Sequence, residues 1–563
     1  MKLLPVVSVL LAATACGTAR TTPPRHPYAV APSVSPVAYE HYIRGRMASE
    51  RGDHELAVIE LRMAAGAAGD NAELHLAIGE ELLASGKLAD ARAEAGDAAD
   101  RWPFEAGAWR LLGRTRAAGT DLRGAVRAFE RAVQLDGSDE ETALMLAAAQ
   151  RQMGDEKRAI ETLRALVARV PSAEGQFRLG RALKDSQPEV AAVHLSRAVA
   201  LDPSHVEARV LLAEVHQRAG RIVEASATLR TAFDRSGADP SVGERLFHVL
   251  LESGDRAAAA DLLRTIDAEW RPANVRLRVA LFFLQLRLAD DTLRIASQLL
   301  ERDAGEHAAR VVAARALAQL GRTPEAIARC RDVPEEAYAY VEATVFAAEL
   351  LARGGTPQEG LALVNHALAA LPEEPSLLAA AASLHEQLGA VDKARALLDA
   401  ALARAPGDET LVYARANLED RAGQPERAVA VMRRLLDRDG DSVMALNYIG
   451  YSYADRNVEL DTSERLLRRA LELRPDDAYV LDSVGWLHLR RGRVDQARVA
   501  LERAGRLAPF EPDILLHLGE LSLRRGEDGR AREIFREALA LDPAARTRSR
   551  LEEQLRTLEA KAP

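Results

Sequence analysis

Aromatic side chains are scarce in this sequence of 563 residues, at 4% of the total, and its only cysteines are Cys16 and Cys330. The apolar residues are mostly Ala and Leu, which favour helices, whereas a β-sandwich or barrel needs more aromatic and β-branched residues. Two cysteines are too few for a disulfide framework or a structural zinc site. Basic residues form no block and the net charge is −9, which excludes a strongly basic nucleic-acid-binding protein.

Sequence motifs of enzymes are also missing. The chain has no Gly-rich phosphate loop, no H-E-x-x-H and no G-x-S-x-G, and its 13 histidines are scattered. The pair His385-Glu386 has no second histidine at metal-binding spacing, and Cys330 falls at a core position of a helix. The sequence therefore predicts no catalytic residue, metal site, cofactor or small-molecule substrate.

The first sixteen residues have the layout of a bacterial export signal. Lys2 precedes an apolar run that ends at Ala13 and is shorter than the roughly 20 residues that span a bilayer. The following A-T-A-C resembles a lipobox, with Ala13 where lipoproteins usually carry Leu. That resemblance implies removal of the signal peptide, residues 1–15, and attachment of acyl chains such as palmitate to Cys16. The alternative is cleavage by the ordinary signal peptidase, which gives a soluble periplasmic protein with a free N-terminal thiol.

Residues 16–37 are predicted to be a Pro-rich tether. The stretch 17–36 contains five prolines and almost no bulky apolar residue, so it cannot build a core. A polyproline-like chain rises about 3.1 Å per residue, which gives a reach of roughly 60 Å from the membrane. Gly17, rather than Asp, follows Cys16. By analogy with enteric lipoproteins, this implies the outer membrane, with the folded body facing the periplasm.

The rest of the chain repeats itself with a period of 34 residues. A turn pattern G-x-x-x-x-A recurs, and the spacing is 34 both from Gly52 to Gly86 and from Gly492 to Gly526. A small residue such as Gly45 nearly always lies seven residues before the turn, and a proline often closes the unit. Small residues let two helices approach closely, glycine permits the turn between them, and proline stops the second helix.

These marks resemble the tetratricopeptide repeat family, in which each unit is a pair of antiparallel helices. The resemblance covers about residues 38–547 and implies an all-α, right-handed superhelical solenoid of about fifteen helix-turn-helix repeats. We divide it into repeats 1–6 (residues 38–236), repeats 7–8 (residues 237–306) and repeats 9–15 (residues 307–543). Residues 544–563 place Leu551, Leu555 and Leu558 on one helical face, which predicts a C-terminal capping helix rather than a tail that binds a partner.

Repeats 7 and 8 depart from the pattern. Phe247 takes the small-residue position, Thr292 replaces the turn alanine, and no turn glycine is visible in repeat 8. Two interpretations remain open: a hinge or weak interface at residues 237–306, or sequence drift with a locally repacked core. Repeat 13 also lacks a turn glycine, but Gly450 and Pro475 hold its register.

In this family the first helix of each repeat lines the concave groove. The groove residues are at positions 2, 5, 9 and 12 of the repeat, counted so that the turn glycine is position 15. In repeats 12–14 these positions are rich in Tyr, Trp, Asn and Asp, which suit an extended peptide because they offer apolar area with polar handles. The predicted partner-binding residues are Tyr413, Asn417, Asp420, Asn447, Tyr451, Tyr479, Asp482 and Trp486. The family's carboxylate clamp is not matched, since lysine is absent here and the aspartates repel a carboxylate, so we expect an internal or positively charged segment. The alternative is that these aromatics pack between neighbouring repeats.

The resemblance implies a non-enzymatic scaffold, anchored by lipid to the bacterial envelope, that binds other proteins or their extended segments. The resemblance suggests a role similar to that of outer-membrane lipoproteins that help to assemble pilus, secretion or motility complexes. Two further hypotheses belong to other classes. One is a soluble periplasmic holding chaperone, and the other is a glycan-binding module whose Tyr, Trp and Asn side chains stack on sugar rings.

Overall fold

A computed structural model describes residues 35–69 and 71–560, which form 31 α-helices and no β-strand. The first thirty of these helices form fifteen consecutive pairs, and one helix follows alone. The predicted all-α fold of about fifteen helix-turn-helix repeats is therefore confirmed. The predicted signal peptide, Cys16 and the tether up to residue 34 lie outside the described residues. None of the helices in the described ranges is both long and apolar enough to cross a membrane.

The chain divides into two compact units between Pro171 and Ser172. The described helices of the first unit are α1 (Pro36–Glu50), α2 (His54–Ala68), α3 (Ala72–Ala84), α4 (Leu88–Arg101), α5 (Ala106–Ala118), α6 (Leu122–Leu135), α7 (Glu140–Gln152) and α8 (Glu156–Arg169). The described helices of the second unit are α9 (Ala173–Leu183), α10 (Pro188–Leu201), α11 (Val206–Arg218), α12 (Ile222–Arg235), α13 (Pro240–Ser253), α14 (Arg256–Glu269), α15 (Ala273–Gln285), α16 (Ala289–Arg302), α17 (His307–Gln319), α18 (Thr323–Arg331), α19 (Tyr340–Arg353), α20 (Pro357–Ala370), α21 (Pro375–Gln387), α22 (Val391–Arg404), α23 (Glu409–Arg421), α24 (Pro425–Arg438), α25 (Val443–Asp455), α26 (Leu460–Leu473), α27 (Ala478–Arg490), α28 (Val494–Leu507), α29 (Pro512–Arg524), α30 (Asp528–Ala540) and α31 (Ala545–Ala560).

The two helices of a repeat approach closely at the small residue that marks the sequence pattern. A methyl group on Gly113 of α5 would lie 2.4 Å from Cε1 of Phe129 on α6, and one on Gly519 of α29 would lie 2.1 Å from Cε1 of Phe535 on α30. A larger residue there would force the helices apart, because the interior is already close-packed. The small residue therefore sets the spacing inside each pair.

The turn between the two helices needs one residue in the left-handed region. Glycine usually supplies it, as at Gly220 with a φ of 73°. Where glycine is missing, Thr120, Arg287 and Asn457 adopt φ values of 63°, 59° and 56°. A non-glycine residue in this region costs roughly 1–2 kcal/mol, which the burial of a whole helix pair offsets. Repeats 8 and 13 therefore keep their turn without a glycine.

Residues 237–306 contribute to the most extensive cluster of buried apolar side chains among the described residues. Phe247 and Phe283 are both 0% exposed, and the rings of Phe247 and Phe282 lie 4.4 Å apart between centroids. Thr292 is also fully buried, and its hydroxyl donates to the carbonyl oxygen of Ala280 at 3.3 Å. Packing of this extent is what a locally repacked core gives.

Within the second unit, α13 of repeat 7 also contacts α28 of repeat 14. Nε of Arg503 donates to Oε1 of the buried Glu252 at 3.0 Å, and the guanidinium of Arg256 lies 4.7 Å from the ring centroid of Phe510. Glu252 also accepts a hydrogen bond from Gln217 at 2.7 Å. Repeats 7 and 14 of the second unit are thus in contact, and the hinge at residues 237–306 stays a prediction.

The last helix, α31, covers the end of the final repeat. Leu551 and Leu558 are 0% and 2% exposed, and they share a cluster with Leu516 of α29 and Phe535 of α30. Leu555 packs against the same cluster but is only partly buried. A solenoid end needs such a helix, because the outer face of its last repeat would otherwise expose apolar side chains.

Candidate partner-binding groove

The first helices α19, α21 and α23 of repeats 10–12 enclose a cleft with a volume of about 410 Å³. Its walls carry the groove positions of three successive repeats. The side chains that line it include Val345, Glu349, Ser376, Ser383, Tyr413 and Asn417. We call this cleft between α19, α21 and α23 the open cleft. It combines apolar area with amide, hydroxyl and carboxyl groups, a mixture that suits a peptide.

One end of the open cleft is formed by Tyr413, whose side chain is 47% exposed and whose ring meets Tyr448 edge-on, with centroids 6.2 Å apart. Beside it, Arg421 makes a forked ion pair with Glu386, with Nε to Oε1 at 2.8 Å and Nη2 to Oε2 at 2.6 Å. The hydrogen bond that Arg421 donates to Glu386 raises the pKa of Arg421, and burial raises the pKa of Tyr448. The guanidinium therefore stays charged at neutral pH, and its forked pair with Glu386 fixes α21 against α23.

The wall of α19 contributes one carboxyl group, that of Glu349. The surrounding protein raises the pKa of this carboxyl, because burial disfavours its charged form, while Arg353 and Arg315 act in the opposite direction. A positively charged group that entered the cleft would stabilise the carboxylate and lower this pKa.

The neighbouring part of the same surface, formed by α25, α27 and α29 of repeats 13–15, is closed by α31. We call it the covered stretch. Its centre is Trp486, which is 2% exposed and stacks on His517 with ring centroids 4.2 Å apart. Nδ1 of His517 lies 2.9 Å from both carboxylate oxygens of Asp482, and both residues are buried. The covered stretch is therefore a packed core.

The polar face of α31 carries arginines. These arginines contact acidic residues of the covered stretch and also contact Asp420. Arg546 donates to Asp420 at 2.6 Å and to Asp455 at 3.1 Å. Arg550 reaches Asp455 at 3.4 Å and Glu520 at 3.2 Å, and its guanidinium lies 5.4 Å from the ring centroid of Trp486. One helix thus uses leucines to cap the last repeat and arginines to fill the groove beside it.

The eight residues predicted from the sequence do not share one environment. Tyr413 and Asn417 line the open cleft, Asp420 pairs with Arg546, and Tyr479 is 55% exposed. Tyr479 contacts Glu511, and burial raises the pKa of both groups. Asn447 is partly buried.

The other predicted residues lie inside the protein. Asp482 and Trp486 do not face an open groove as the sequence predicts, because α31 and the preceding helices bury them. Tyr451 contacts the ring of His517, and burial raises the pKa of its hydroxyl. For these three residues the structure has the alternative arrangement, packing between neighbouring repeats. Binding of a partner by any of the eight stays a prediction.

Several side chains of the groove were missed from the sequence. The missed residues occupy groove positions of repeats 10 and 11, so the repeat register could have predicted them. They are Glu349 at position 9, Ser376 at position 2, Ser383 at position 9 and Glu386 at position 12. The arginines of α31 had a signal too, because Arg546 and Arg550 are spaced i, i+4 away from the leucine face. Among the residues of the described ranges, no group of three metal-ligating side chains comes together.

The helix pairs of the described residues, four in the first unit and eleven in the second, define an all-α repeat protein. Models of the tetratricopeptide repeat family match residues 76–140, 141–173, 182–243, 413–478 and 485–546, about half of the chain. The chain belongs to the tetratricopeptide repeat family, whose members bind other proteins or peptides.

A tetratricopeptide repeat-containing protein of Pseudomonas aeruginosa is 39% identical to this chain over 66 residues. The match covers 12% of this chain and 11% of that protein, so the chain spans about a tenth of that relative's length. Among solved structures, a tetratricopeptide repeat protein from Parabacteroides merdae is 20% identical, covers 47% of this chain and 98% of its own, and has a TM-score of 0.34. MamA from Desulfovibrio magneticus is 23% identical, covers 30% of this chain and 96% of its own, and has a TM-score of 0.27.

Proposed function

We propose that this protein is a non-enzymatic scaffold of the bacterial envelope that binds a positively charged segment of a partner protein in the open cleft. The observation that carries the proposal is the cleft itself, a space of about 410 Å³ on the first helices of three successive repeats. Tyr413 offers an exposed aromatic face there, and Asn417 offers a side-chain amide that can both donate to and accept from a peptide backbone.

The charge of the partner follows from two features of the groove. Glu349 is a carboxyl group on the wall of the cleft, where a nearby cation would favour its charged form, and Asp420 stands where the open cleft meets α31. The chain's own α31 lays arginines on the continuation of the same surface. A partner segment that carries Arg or Lys would extend this pattern, whereas a carboxylate terminus would be repelled.

The anchor of the scaffold is proposed to be acylated Cys16, with the folded body held in the periplasm near the outer membrane. The lipobox-like sequence before Cys16 supports this part of the proposal, and several acyl chains on one residue give stable attachment where a single chain is marginal. A scaffold held at the membrane would concentrate its partners there, as an assembly factor for a pilus, secretion or motility complex requires.

Photo-crosslinking tests the binding site directly. A benzophenone amino acid replaces Tyr413 in the open cleft, and in a matched chain it replaces Tyr338, which is 83% exposed but lies outside the cleft. We expect the Tyr413 probe to capture a partner peptide rich in Arg or Lys, and the Tyr338 probe to capture none of it. The same capture from both positions, or capture of acidic segments only, would contradict the proposal.

Metabolic labelling with palmitate tests the anchor independently of the groove. The full chain should incorporate label and partition with membranes, and Cys16→Ser should do neither. Labelling that is unchanged in Cys16→Ser would remove the proposed anchor and leave the binding site untouched.

A further inference from the structure

The first repeat exposes more large apolar side chains than a solvent-facing helix pair should. On α1, Tyr39, Ile43 and Met47 are spaced i, i+4, i+8 and are 61%, 39% and 46% exposed. On α2, Leu56, Ile59 and Met63 are spaced i, i+3, i+7 and are 43%, 56% and 51% exposed, and Val37 adds a seventh at 54%. These spacings put each set on one face of its helix. We call the two sets together the repeat 1 face.

Part of this face corresponds to surface that a preceding repeat covers elsewhere. Counted from the small residue of each first helix, Ile43 and Met47 match Leu211 and Val215 of α11. Those two residues are 9% and 1% exposed. The α1 residues are therefore built like residues that pack against another helix, yet no described helix precedes them.

The α2 set has a different origin, because the same positions are polar or small in most other repeats, although α10 carries Val190 and Val193 at two of them. Leu56, Ile59 and Met63 match Glu224, Ala227 and Thr231 of α12, all of them exposed. A second helix in this array therefore has no structural need for large apolar residues at these positions. Apolar side chains gathered on an exposed face indicate a surface that another molecule covers.

We propose that the repeat 1 face is a homodimer interface, covered by the repeat 1 face of a second copy of this chain. Seven half-exposed apolar side chains supply on the order of 600 Å² per copy, close to the roughly 800 Å² per partner of a standard interface. A head-to-tail contact would need the outer face of the last repeat, and α31 already covers that face with Leu551 and Leu558. The repeat 1 face, which no described residue covers, can therefore meet its own copy, in an arrangement about a twofold axis that closes at two subunits.

The test compares two double variants with the same charge change at the same repeat positions. Leu56→Asp/Ile59→Asp alters the repeat 1 face, and Val190→Asp/Val193→Asp is the control on α10. Each pair lies one residue before and two residues after the buried alanine of its helix, which is Ala57 in α2 and Ala191 in α10. The control valines are 40% and 51% exposed. All chains carry Cys16→Ser, so that no acyl chain contributes to association.

Sedimentation of the full chain measures the outcome. We expect a dimer for the parent and for the α10 control, and a dissociation constant raised at least about 100-fold in the repeat 1 variant, with its helix content unchanged. A parent that is monomeric at micromolar concentrations, or a repeat 1 variant that still forms the dimer, would overturn the proposal. So would binding of a monomeric parent to phosphatidylethanolamine–phosphatidylglycerol vesicles that the repeat 1 variant loses, because the face would then belong to a membrane.

A thiol at the interface gives a second measurement that does not depend on destabilising the dimer. Ile59→Cys, in the Cys16→Ser chain, should be joined to its copy by a long flexible bis-maleimide, whereas Val193→Cys should not, because a twofold interface brings the two copies of Ile59 near each other without requiring disulfide distance. Cys330 does not interfere, because it is 4% exposed and burial raises the pKa of its thiol to about 12. Equal cross-linking at both positions would show random collision and count against the interface.

Discussion

The open cleft and the covered stretch are two parts of one repetitive surface that differ in their exposure to solvent. Both are built from first helices of successive repeats, and both place aromatic and acidic side chains at the same repeat positions. Tyr413 in the open cleft is 47% exposed, whereas Trp486 in the covered stretch is 2% exposed. Repeat position therefore determines which way a side chain points, but it does not determine whether solvent or a partner can reach it.

The difference comes from a single helix. α31 carries Leu551 and Leu558 on the face that packs against the last repeat, and Arg546 and Arg550 on the face that meets the acidic groove. The arginines contact Asp420 and Asp455, so the chain itself places positive charge beside acidic residues of this surface. Partner binding at the predicted residues stays a prediction.

The largest effect that separates the two regions is expected from removal of their aromatic rings. Trp486→Ala should destabilise repeats 13–15 by about 3–5 kcal/mol, because it removes a buried ring that stacks on His517. Tyr413→Ala should change stability by less than about 1 kcal/mol, because half of that side chain is already in water. Amide hydrogen exchange measures both stability changes when the rates in α27 and α29 are compared with those in α21 and α23. A local measurement is needed because a repeat array need not unfold in one step. Equal losses would mean that the two regions do not differ in packing.

The next effect concerns the basic face of α31. Arg550→Glu should destabilise the docked helix by about 2–3 kcal/mol, because it places a carboxylate beside Asp455 and Glu520 where a half-buried ion pair stood. Arg556→Glu, at an exposed position of the same helix, is the control for charge. Faster amide exchange throughout α31 in the first variant alone is the expected result. No change in either variant would show that the leucine face holds the helix by itself.

The stability of the covered stretch should also depend on pH, through its buried pair of Asp482 and His517. Burial raises the pKa of Asp482, and although burial alone would lower the pKa of His517, the charge and hydrogen bond of Asp482 raise it. The folded pair thus keeps one proton that the unfolded histidine loses above about pH 6.5. Stability is full below that pH and falls as pH rises through the folded pKa, by up to about 1.4 kcal/mol per unit.

Denaturation followed between pH 6 and pH 8 checks this sign, with Arg550, Glu520 and Asp513 as the other charged groups around the pair. The variant Asp482→Asn/His517→Gln keeps a hydrogen-bonding pair without the titration, and its stability should be flatter with pH. A stability that rises with pH in the parent would mean that the pair is not protonated as described.

The smallest effect is expected for the ion pair of the open cleft. Arg421→Ala should cost about 0.5 kcal/mol or less, because the side chain is 49% exposed and exposed ion pairs contribute little. The loss should shrink further at high salt. A loss as large as that of Arg550→Glu would make the open cleft as tightly organised as the covered stretch, and the distinction between them would fail.

Particular residues show why the fold could be predicted and the site only in part. Gly113 and Gly519 mark helix pairs because each touches a phenylalanine of its own repeat, so the signal and its cause lie within 34 residues. The groove positions of Tyr413 and Asn417 follow from the same register. The burial of Trp486 and Asp482 and the partial burial of Tyr451 did not follow, because they depend on α31, which comes more than fifty residues later in the chain.

The sequence by itself determined the repeat, its period and the helix pairs, because these depend on contacts between near neighbours in the chain. Only the tertiary structure decided that repeats 7 and 14 touch and that α31 lies across repeats 13–15. Such contacts join residues about 90 to 250 positions apart, and local pattern carries no information on them.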